Sequence, residues 1–293
     1  MKMPLACFCG APQWQTLFAY DAPPPGEVRF QASADGRYHR EVWRCERCGH
    51  GRAVHNLPLE ALYAGDYTSA NYGDDEGIRR AFDRINALDP AQSDNVGRVR
   101  RVSDFAACHF GDTFADHRQI LDVGSGLCVF LHRLKAAGWQ GTALDPEPRY
   151  ARHARYVVGV EAVCGDFSTT GHLGIFDVIA FNKVLEHVPD PIAMLGAAVT
   201  QVQSGGFIYV EVPDAEMAAP DGPEREEFFV DHWHIFSAAS LALLAARAGC
   251  VLRALERLKE PSGKYTLRAF LVPAARVAAQ DVAPHEVVHA IRR

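Results

Sequence analysis

A glycine-rich turn between a short apolar segment and a helical segment constrains the fold of this 293-residue chain more than any other feature. The segment ILDVGSGLC places Asp122, Gly124 and Gly126 where a first strand ends and a helix begins. Glycines allow the backbone to approach a ligand closely, and a helix N-terminus offers free N–H groups. Asp145 ends the next predicted strand, where a carboxylate can accept hydrogen bonds from ribose hydroxyls. Together these residues predict a ligand that contains a nucleoside.

Strand and helix patterns alternate after residue 119, which is typical of an α/β fold. Segments with the pattern of strands recur at ILDVG, GTALD, GVEAVCGDF, FDVIAFN, GGFIYVEVP, VLRALERL and YTLRAFLV. Helical segments separate most of them, so the sequence predicts a seven-stranded, doubly wound, Rossmann-like α/β sheet.

The composition of the chain changes along its length, and we expect three parts. Residues 1–60 contain aromatic residues, a PPPG turn and alternating stretches such as EVRFQAS and YHREVWRC, which indicate a small β module. Residues 61–112 contain a tyrosine-rich connector followed by two helical patterns. Residues 113–293 form the α/β core, in which a Pro- and acid-rich stretch at about 213–236 is expected to cover the site as a lid.

Four clustered cysteines predict a metal site in the N-terminal module. Cys7 and Cys9 form a Cys-x-Cys pair, and Cys45 and Cys48 form a Cys-x-x-Cys-Gly pair. Four thiolates suffice for a closed tetrahedral zinc site, whose binding energy would stabilise a module too small to fold around its own core. The first pair is one residue shorter than the usual spacing, so His50 in place of Cys7 or Cys9 stays open, as do free or oxidised thiols. His39 is a further spare ligand.

The charge of the chain argues against nucleic acid and membrane partners. It has 30 Lys and Arg against 36 Asp and Glu, a formal charge of -6, so no basic field covers it. No apolar run approaches the ~18 residues of a membrane span. The N-terminus has no apolar segment of the kind found in signal peptides, so we expect a cytoplasmic protein.

The glycine turn resembles motif I of class I S-adenosylmethionine-dependent methyltransferases. Val129 stands where a dinucleotide-binding fingerprint would need its third glycine. The resemblance extends to ALDPEP as the acidic strand-2 motif, CGDF as the adenine-side motif and FNKVLEHVPDP as the strand-4 motif, in the order of that family. One departure is Cys128, where the family often has glycine.

This resemblance implies roles for the residues of the first two motifs. Gly124 and Gly126 would line the methionine part of S-adenosylmethionine, and Asp122 would orient its amino group. Asp145 would hold the ribose.

The later motifs imply further contacts with the same cofactor. Asp166 would bind the adenine amine, and Phe167 would cover the adenine face or simply pack in the core. Asn182 would close the pocket beside the sulfonium.

The order of a cysteine-rich module, a connector and this core is similar to that of bacterial sugar methyltransferases. The implied activity is O-methylation of a small molecule, with a sugar or nucleotide-linked sugar as acceptor. The alternatives are a sugar C-methyltransferase, an RNA methyltransferase, and a non-catalytic zinc-ribbon interaction protein. The first 60 residues contain seven basic and six acidic residues. This near-neutral balance argues against an RNA methyltransferase, whose nucleic-acid-binding module should be basic.

Removal of a proton from the acceptor calls for a base, and histidine suits that task near neutral pH. The lid contains His232 and His234 in an His-x-His stretch, which resembles one at the acceptor site of sugar C-methyltransferases but has a tryptophan between the histidines. His187 of LEHVPDP is the third candidate, with Glu186 and Lys183 as weaker ones. Each histidine also has a structural alternative.

Charged runs give a further indication about the acceptor. Seven acidic residues and one arginine lie between Pro213 and Asp231, and six arginines lie between Arg79 and Arg101. One interpretation is that the arginines bind a nucleotide diphosphate. The other is that both runs are solvated faces.

Overall fold

The computed structural model describes residues 7–27, 38–55, 57 and 72–274. Most of the EVRFQAS stretch and most of the tyrosine-rich connector lie outside the described residues. None of the helices within these ranges is long and apolar enough to cross a membrane.

A seven-stranded sheet organises the core and confirms the predicted α/β fold. Its strands are β4 (Gln119–Val123), β5 (Gln140–Asp145), β6 (Glu161–Cys164), β7 (Phe176–Asn182), β8 (Val202–Pro213), β10 (Cys250–Lys259) and β11 (Tyr265–Pro273). The spatial order is β10-β11-β8-β7-β4-β5-β6. The five strands from β6 to β8 are parallel, and β11 runs antiparallel to both β8 and β10. The carboxyl ends of the parallel strands therefore share one edge, where ligands bind in open α/β sheets.

Helices cover both faces of this sheet. They are α1 (Asp75–Asn86), α2 (Asp94–Phe110), α3 (Val129–Ala136), α4 (Pro148–His153), α5 (Pro191–Val199) and α6 (Ala238–Arg247), with a helical turn at Ala215–Ala218. Asp74 caps α1 by accepting a 2.8 Å hydrogen bond from the N–H of Gly77. Ser237 and Ser240 form a reciprocal capping box at the start of α6. Such caps satisfy the free N–H groups of a helix start and contribute about 1 kcal/mol each.

The central strand β7 lies in the middle of the core. Val178, Ile179, Ala180 and Phe181 are fully buried, with alternate side chains in the apolar clusters on opposite faces of the sheet. Full burial of such a side chain contributes roughly 1.5–3 kcal/mol for the larger ones. The strand that ends at Asn182 is consequently held in place by packing on both faces.

A second, four-stranded antiparallel sheet belongs to the N-terminal module. It contains β1 (Trp14–Tyr20), β2 (Arg40–Cys45), β3 (Gly51–His55) and, from the lid, β9 (His234–Ile235). Gly51 pairs with Ile235, and a Cβ at Gly51 would lie 2.9 Å from the Cβ of Ile235, so the close approach needs glycine. The module's sheet thus extends beyond residues 1–60 and takes a strand from the lid.

Candidate functional site

The glycine turn lies at the carboxyl edge of the large sheet, between β4 and α3. The N–H groups of Gly124 and Ser125 donate to the carbonyl of Leu144 at 2.8 and 3.1 Å, which ties the turn to β5. Gly124 has φ +70°, and a Cβ there would lie 2.7 Å from a methyl carbon of Val184. At Gly126 a Cβ would meet nothing within 4 Å. Gly124 is therefore required by packing, whereas Gly126 borders open space.

Asp122 and Asn182 form a buried polar pair beside this turn. Asn182 Nδ2 donates to Asp122 Oδ1 at 2.7 Å, which joins the ends of β4 and β7. Asp122 is 2% exposed, and burial raises its pKa to about 7 even though the Asn182 amide acts to lower it. Asn182 Oδ1 is buried and finds no donor among the described residues. Such a buried acceptor next to a carboxylate would suit a cationic donor.

Asp145 is held by backbone N–H groups at the end of β5. Its Oδ2 accepts from Gly126 at 2.8 Å and its Oδ1 from Glu147 at 2.9 Å. Burial raises its pKa to about 6, and the two N–H groups act against that rise. Each carboxylate oxygen can accept more than one hydrogen bond, so the side chain retains capacity for ribose hydroxyls.

Asp166 and Phe167 follow β6 at the same edge. Asp166 is exposed, and its Oδ1 accepts from the N–H of Ser168 at 2.7 Å in a local turn. Phe167 is buried and packs edge-on against Phe181 with ring centroids 5.7 Å apart. Of the two roles expected for Phe167, packing in the core is the one that this geometry displays.

These residues fit S-adenosylmethionine. The ammonium of its methionine part would be a donor for Asn182 Oδ1 and Asp122, and the open space at Gly126 would leave room for the chain that follows. Asp145 would be the acceptor for its ribose. The family's glycine is replaced by Cys128, which has φ +60° and lies buried at the start of α3, so the turn keeps the left-handed backbone despite the side chain.

Two of the predicted bases lie together near the lid. The rings of His187 and His232 make an edge-to-face contact with centroids 4.9 Å apart. His187 Nδ1 lies 3.0 Å from the carbonyl of Asp231, and His232 Nδ1 lies 2.9 Å from the carbonyl of Glu227. A carbonyl can only accept, so each Nδ1 carries the proton and each Nε2 keeps its lone pair in the neutral ring. Both rings therefore have a free nitrogen for a proton or a metal ion.

His234 occupies a different environment and does not join this pair. It is 1% exposed and contacts His50 Nε2 at 3.1 Å and an Arg52 guanidinium nitrogen at 2.7 Å. Burial, followed by the Arg52 charge, lowers its pKa to about 3. The role of His234 as a base stays a prediction that this geometry does not favour, because the buried ring joins the lid to the N-terminal sheet through His50 and Arg52.

The four cysteines of the N-terminal module converge. Their sulfur atoms lie within 4.8 Å of one another, with Cys7 to Cys48 at 3.4 Å and Cys9 to Cys45 at 3.5 Å. A tetrahedron with Zn–S bonds of about 2.3 Å has edges of about 3.8 Å. Both cysteine pairs are followed by a glycine of positive φ, Gly10 and Gly49, which forms the tight turns that aim the thiols inward.

The donor set of this cluster fits a structural zinc ion. Burial raises the pKa of Cys48 to about 11 and that of Cys7 as well, whereas the backbone N–H groups of Cys48 and Arg47 lower the pKa of Cys45 against the effect of burial. A bound cation would favour the thiolate form of all four. His50 has both ring nitrogens engaged, by Ser240 and His234. His39 pairs with Asp21 at the surface. The geometry therefore favours the predicted four-cysteine set over the histidine alternatives.

A buried charge network that the sequence did not predict adjoins Asp122 and Asn182. Glu211 of β8 is fully buried and accepts from Arg98 Nε at 2.7 Å and from Arg268 Nε at 2.5 Å. These two guanidinium groups lower the pKa of Glu211 against the effect of burial. Lys183 follows β7 with φ +59° and donates to Thr266 Oγ1 at 2.8 Å. Strained backbone of this kind clusters at functional sites.

The charged runs of the sequence are largely paired within the protein. Acidic residues of the lid contact basic or hydroxyl groups of the core, as Asp214 and Glu216 do with Arg257, Asp221 with Tyr265, and Glu226 with Lys264. Among the arginines, Arg98 binds Glu211 and Arg101 binds Glu256. The structure therefore gives no support to Arg98 or Arg101 as a diphosphate site.

Comparisons with known proteins agree with this fold. A family profile described as a methyltransferase domain matches residues 80–255. A ubiquinone biosynthesis O-methyltransferase of Cronobacter sakazakii is 28% identical over 163 residues, which cover 53% of this chain and 61% of that protein. The same enzyme of Aeromonas salmonicida is 27% identical over 214 residues, covering 68% and 84%. The chain thus spans about three fifths of the length of the first of these relatives.

A solved structure extends the likeness to the fold. It is the 1,6-didemethyltoxoflavin-N1-methyltransferase of Burkholderia thailandensis, with 1,6-didemethyltoxoflavin and S-adenosylhomocysteine bound. The TM-score is 0.52 at 20% identity, over 85% of this chain and 98% of that one. At this identity the likeness establishes a shared fold.

Proposed function

The chain belongs to the methyltransferase-domain family, and from this membership we propose that it transfers a methyl group from S-adenosylmethionine to a hydroxyl of a small, polar acceptor. A sugar or nucleotide-linked sugar is the acceptor class we favour. The cofactor supplies an electrophilic methyl group on a sulfonium. The residues of this chain bind it, orient the acceptor and remove a proton.

The buried pair of Asp122 and Asn182 carries the proposal. A carboxylate that is 2% exposed and an unpaired amide oxygen lie at the ends of adjacent strands, β4 and β7. A ligand ammonium would satisfy both acceptors at once. Asp145 lies at the end of β5, the neighbour of β4 on the other side. The three acceptors thus stand along the edge in an order that suits an amino acid joined to a nucleoside.

Proton removal is assigned to the pair of His187 and His232. Each ring has its Nδ1 proton fixed on a backbone carbonyl and its Nε2 free. The acceptor oxygen forms its bond to the methyl carbon as the carbon–sulfur bond breaks, and the hydroxyl proton passes to one of these nitrogens. His234 takes no part, since both its ring nitrogens are engaged.

The polarity of the neighbouring strand ends supports a hydroxyl-rich acceptor. Polar groups line this edge on the side of β7 that faces away from β4. They are Lys183 after β7, Glu211 near the end of β8 and Thr266 at the start of β11. The charges of Arg98 and Glu211 act on the pKa of Asp122, which indicates that the network adjoins the cofactor residues. An acceptor with a long apolar chain would find charged groups here, whereas a sugar can hydrogen-bond to them.

A methyl-transfer assay tests the proposal. The zinc-loaded chain is incubated with S-adenosylmethionine and three acceptor sets: nucleotide-linked sugars, free sugars, and phenols. Mass spectrometry then follows a gain of one methyl group together with S-adenosylhomocysteine. We expect a product from a sugar-containing set, and His232→Gln or His187→Gln should lower kcat by about 100-fold or more without weakening cofactor binding.

The matched control is His172→Gln, which changes an exposed histidine on the loop between β6 and β7. It should retain the full rate. A product formed only from the phenols would replace the sugar assignment by an aromatic one. A methyl group on carbon would favour the C-methyltransferase alternative. Full activity in both histidine variants would remove the pair from the mechanism.

A further inference from the structure

A second set of metal-ligating side chains lies apart from the cysteines, where the lid meets the loop after β7. Glu186 and His187 belong to that loop, and His232 lies two residues before β9. One ligand atom from each of the three side chains lies within 4.8 Å of the others. The backbone connects the same elements, because His234 N–H donates to the carbonyl of Glu186 at 3.0 Å.

Glu186 is a buried carboxylate whose place in the interior needs a physical explanation. It is 0% exposed, and neither carboxylate oxygen has a hydrogen-bond partner within the described ranges. An unpaired carboxylate in the interior costs several kcal/mol, so buried carboxylates are normally paired or bound to a metal ion. The two histidine rings that face it are the only other members of the cluster identified in the described part of the chain.

The two histidines are oriented as metal ligands usually are. His187 Nδ1–H donates to the carbonyl of Asp231 at 3.0 Å, and His232 Nδ1–H donates to the carbonyl of Glu227 at 2.9 Å. Metal-binding histidines commonly hold their second nitrogen on a carbonyl or carboxylate in this way, which fixes the ring and its tautomer. The Asp231 carboxylate also lies 3.7 Å from His187 Nδ1, which makes the surroundings more favourable to a cation.

We propose that Glu186, His187 and His232 bind a divalent transition-metal ion of the zinc type. Two imidazole nitrogens and one carboxylate are a frequent ligand set for such ions and leave at least one coordination position open. Mg²⁺ prefers six oxygen ligands and is a poor match. The site differs from the four-cysteine cluster in its ligands, its exposure and its open position.

The open position is where an acceptor hydroxyl would bind, and this part of the inference rests on the proposed function. With the ion bound, neither Nε2 lone pair is available as a base; the ion would lower the pKa of the hydroxyl instead, and the hydroxyl proton would pass to solvent water. Loss of either histidine lowers kcat in both cases, because it removes a base or a metal ligand. The ion would also join the lid to the loop after β7. Metal binding itself requires no methyl transfer and is measured separately.

Metal content and cobalt spectra test the site in the full chain. Protein loaded with excess Zn²⁺ and freed of loose metal should hold about two equivalents, because each ligand set binds one ion. Glu186→Gln, which keeps the shape of the side chain, should hold about one, as should Cys45→Ser. With Co²⁺, Cys45→Ser should lose the sulfur-to-metal charge-transfer band and keep the weaker visible bands of a nitrogen and oxygen site. Glu186→Gln should show the opposite pattern.

Controls separate this inference from folding and from the proposed function. Glu224→Gln changes an exposed acid of the lid and should keep both equivalents. Glu186→Gln should still bind S-adenosylhomocysteine as the wild type does, which shows that it is folded. A wild type with a single equivalent, or two equivalents retained in both Glu186→Gln and His232→Gln, overturns the metal site. Failure of the wild type to bind S-adenosylhomocysteine would instead overturn the proposed function and leave the metal count intact.

Discussion

Replacing Asp122 by asparagine should weaken cofactor binding and at the same time stabilise the free protein. The side chain is 2% exposed, and its pKa is raised to about 7 by burial. In an unfolded chain the value is about 3.9, and one pKa unit corresponds to about 1.4 kcal/mol. The ionised carboxylate therefore costs the folded, cofactor-free protein roughly 2–4 kcal/mol at about pH 8.

The sign of the pH dependence follows from the direction of this shift. Because the folded state holds the proton more tightly, Asp122 lowers the free energy of unfolding progressively as pH rises from about 4 to about 7. Asp122→Asn removes that loss, so the melting temperature of the free variant should exceed that of the wild type at about pH 8. At about pH 4 the two proteins should converge.

Cofactor affinity should change in the opposite direction. An amide cannot neutralise the ligand ammonium, and the loss of one charge-assisted hydrogen bond, about 1.5–3 kcal/mol, weakens binding by about 10- to 150-fold. In the wild type, affinity should rise by about 30-fold between about pH 5.5 and 8 as Asp122 ionises, with a further gain from Asp145. The Asp122→Asn variant should lack the larger part of this rise.

Calorimetry with S-adenosylhomocysteine and thermal unfolding of the same samples measure both effects. Asp177→Asn is the matched control, because Asp177 is also buried but lies at the opposite edge of the sheet, where it accepts from the N–H of Gln119 at 2.7 Å. It should lower the melting temperature and leave affinity unchanged. Unaltered affinity in Asp122→Asn, or a lower melting temperature than the wild type at about pH 8, would refute the reasoning.

Three other substitutions test separate parts of the structure. Cys45→Ser should hold about one zinc equivalent fewer than the wild type and have a lower melting temperature, while its cofactor affinity changes less than about threefold. Metal analysis and calorimetry measure these effects, and an unchanged zinc content would contradict the four-cysteine assignment. Gly124→Ala should lower the free energy of unfolding by about 2–3 kcal/mol, since φ is +70° and a Cβ would lie 2.7 Å from a valine methyl carbon. Gly126→Ala should lower it by less. Equal losses in denaturant unfolding would rule out the clash. Arg40→Met should cost about 3–5 kcal/mol because it removes the counter-charge of the buried Glu27 carboxylate, which keeps only its hydrogen bonds from Tyr38 and Val230. Adding Glu27→Gln should restore much of this stability, and a double variant no more stable than the single one would contradict the pairing.

The sequence predicted the large sheet and its ligand edge because both are encoded locally. Apolar runs marked the strands, and the glycine turn and Asp145 marked the edge. The pairing of Asp122 with Asn182 joins residues 60 positions apart, but both end strands that the pattern had already identified. Local signals were therefore enough to place them.

The different environments of His232 and His234 could not be predicted from the sequence, because both histidines belong to the same short His-x-His stretch. Only the docking of β9 onto β3 buries His234 beside Arg52. A strand of two residues has too few positions to show a period, so the sequence contained no sign of it.

The charge network around Glu211 does leave a signal in the sequence. Glu211 and Arg268 stand inside the otherwise apolar segments GGFIYVEVP and YTLRAFLV. A charged residue in a buried strand needs a partner, and these two contact each other across β8 and β11. The third partner, Arg98, comes from α2, and only the tertiary structure brings it there.

Calorimetric titration of the zinc-loaded wild type with S-adenosylhomocysteine tests the central claim most directly, because it asks whether the edge formed by Asp122, Asn182 and Asp145 binds the cofactor product. We expect one site per chain with micromolar affinity that strengthens as pH rises. Folded, zinc-loaded protein that gives no binding heat across this pH range, and no rise in melting temperature with the ligand, would contradict the account.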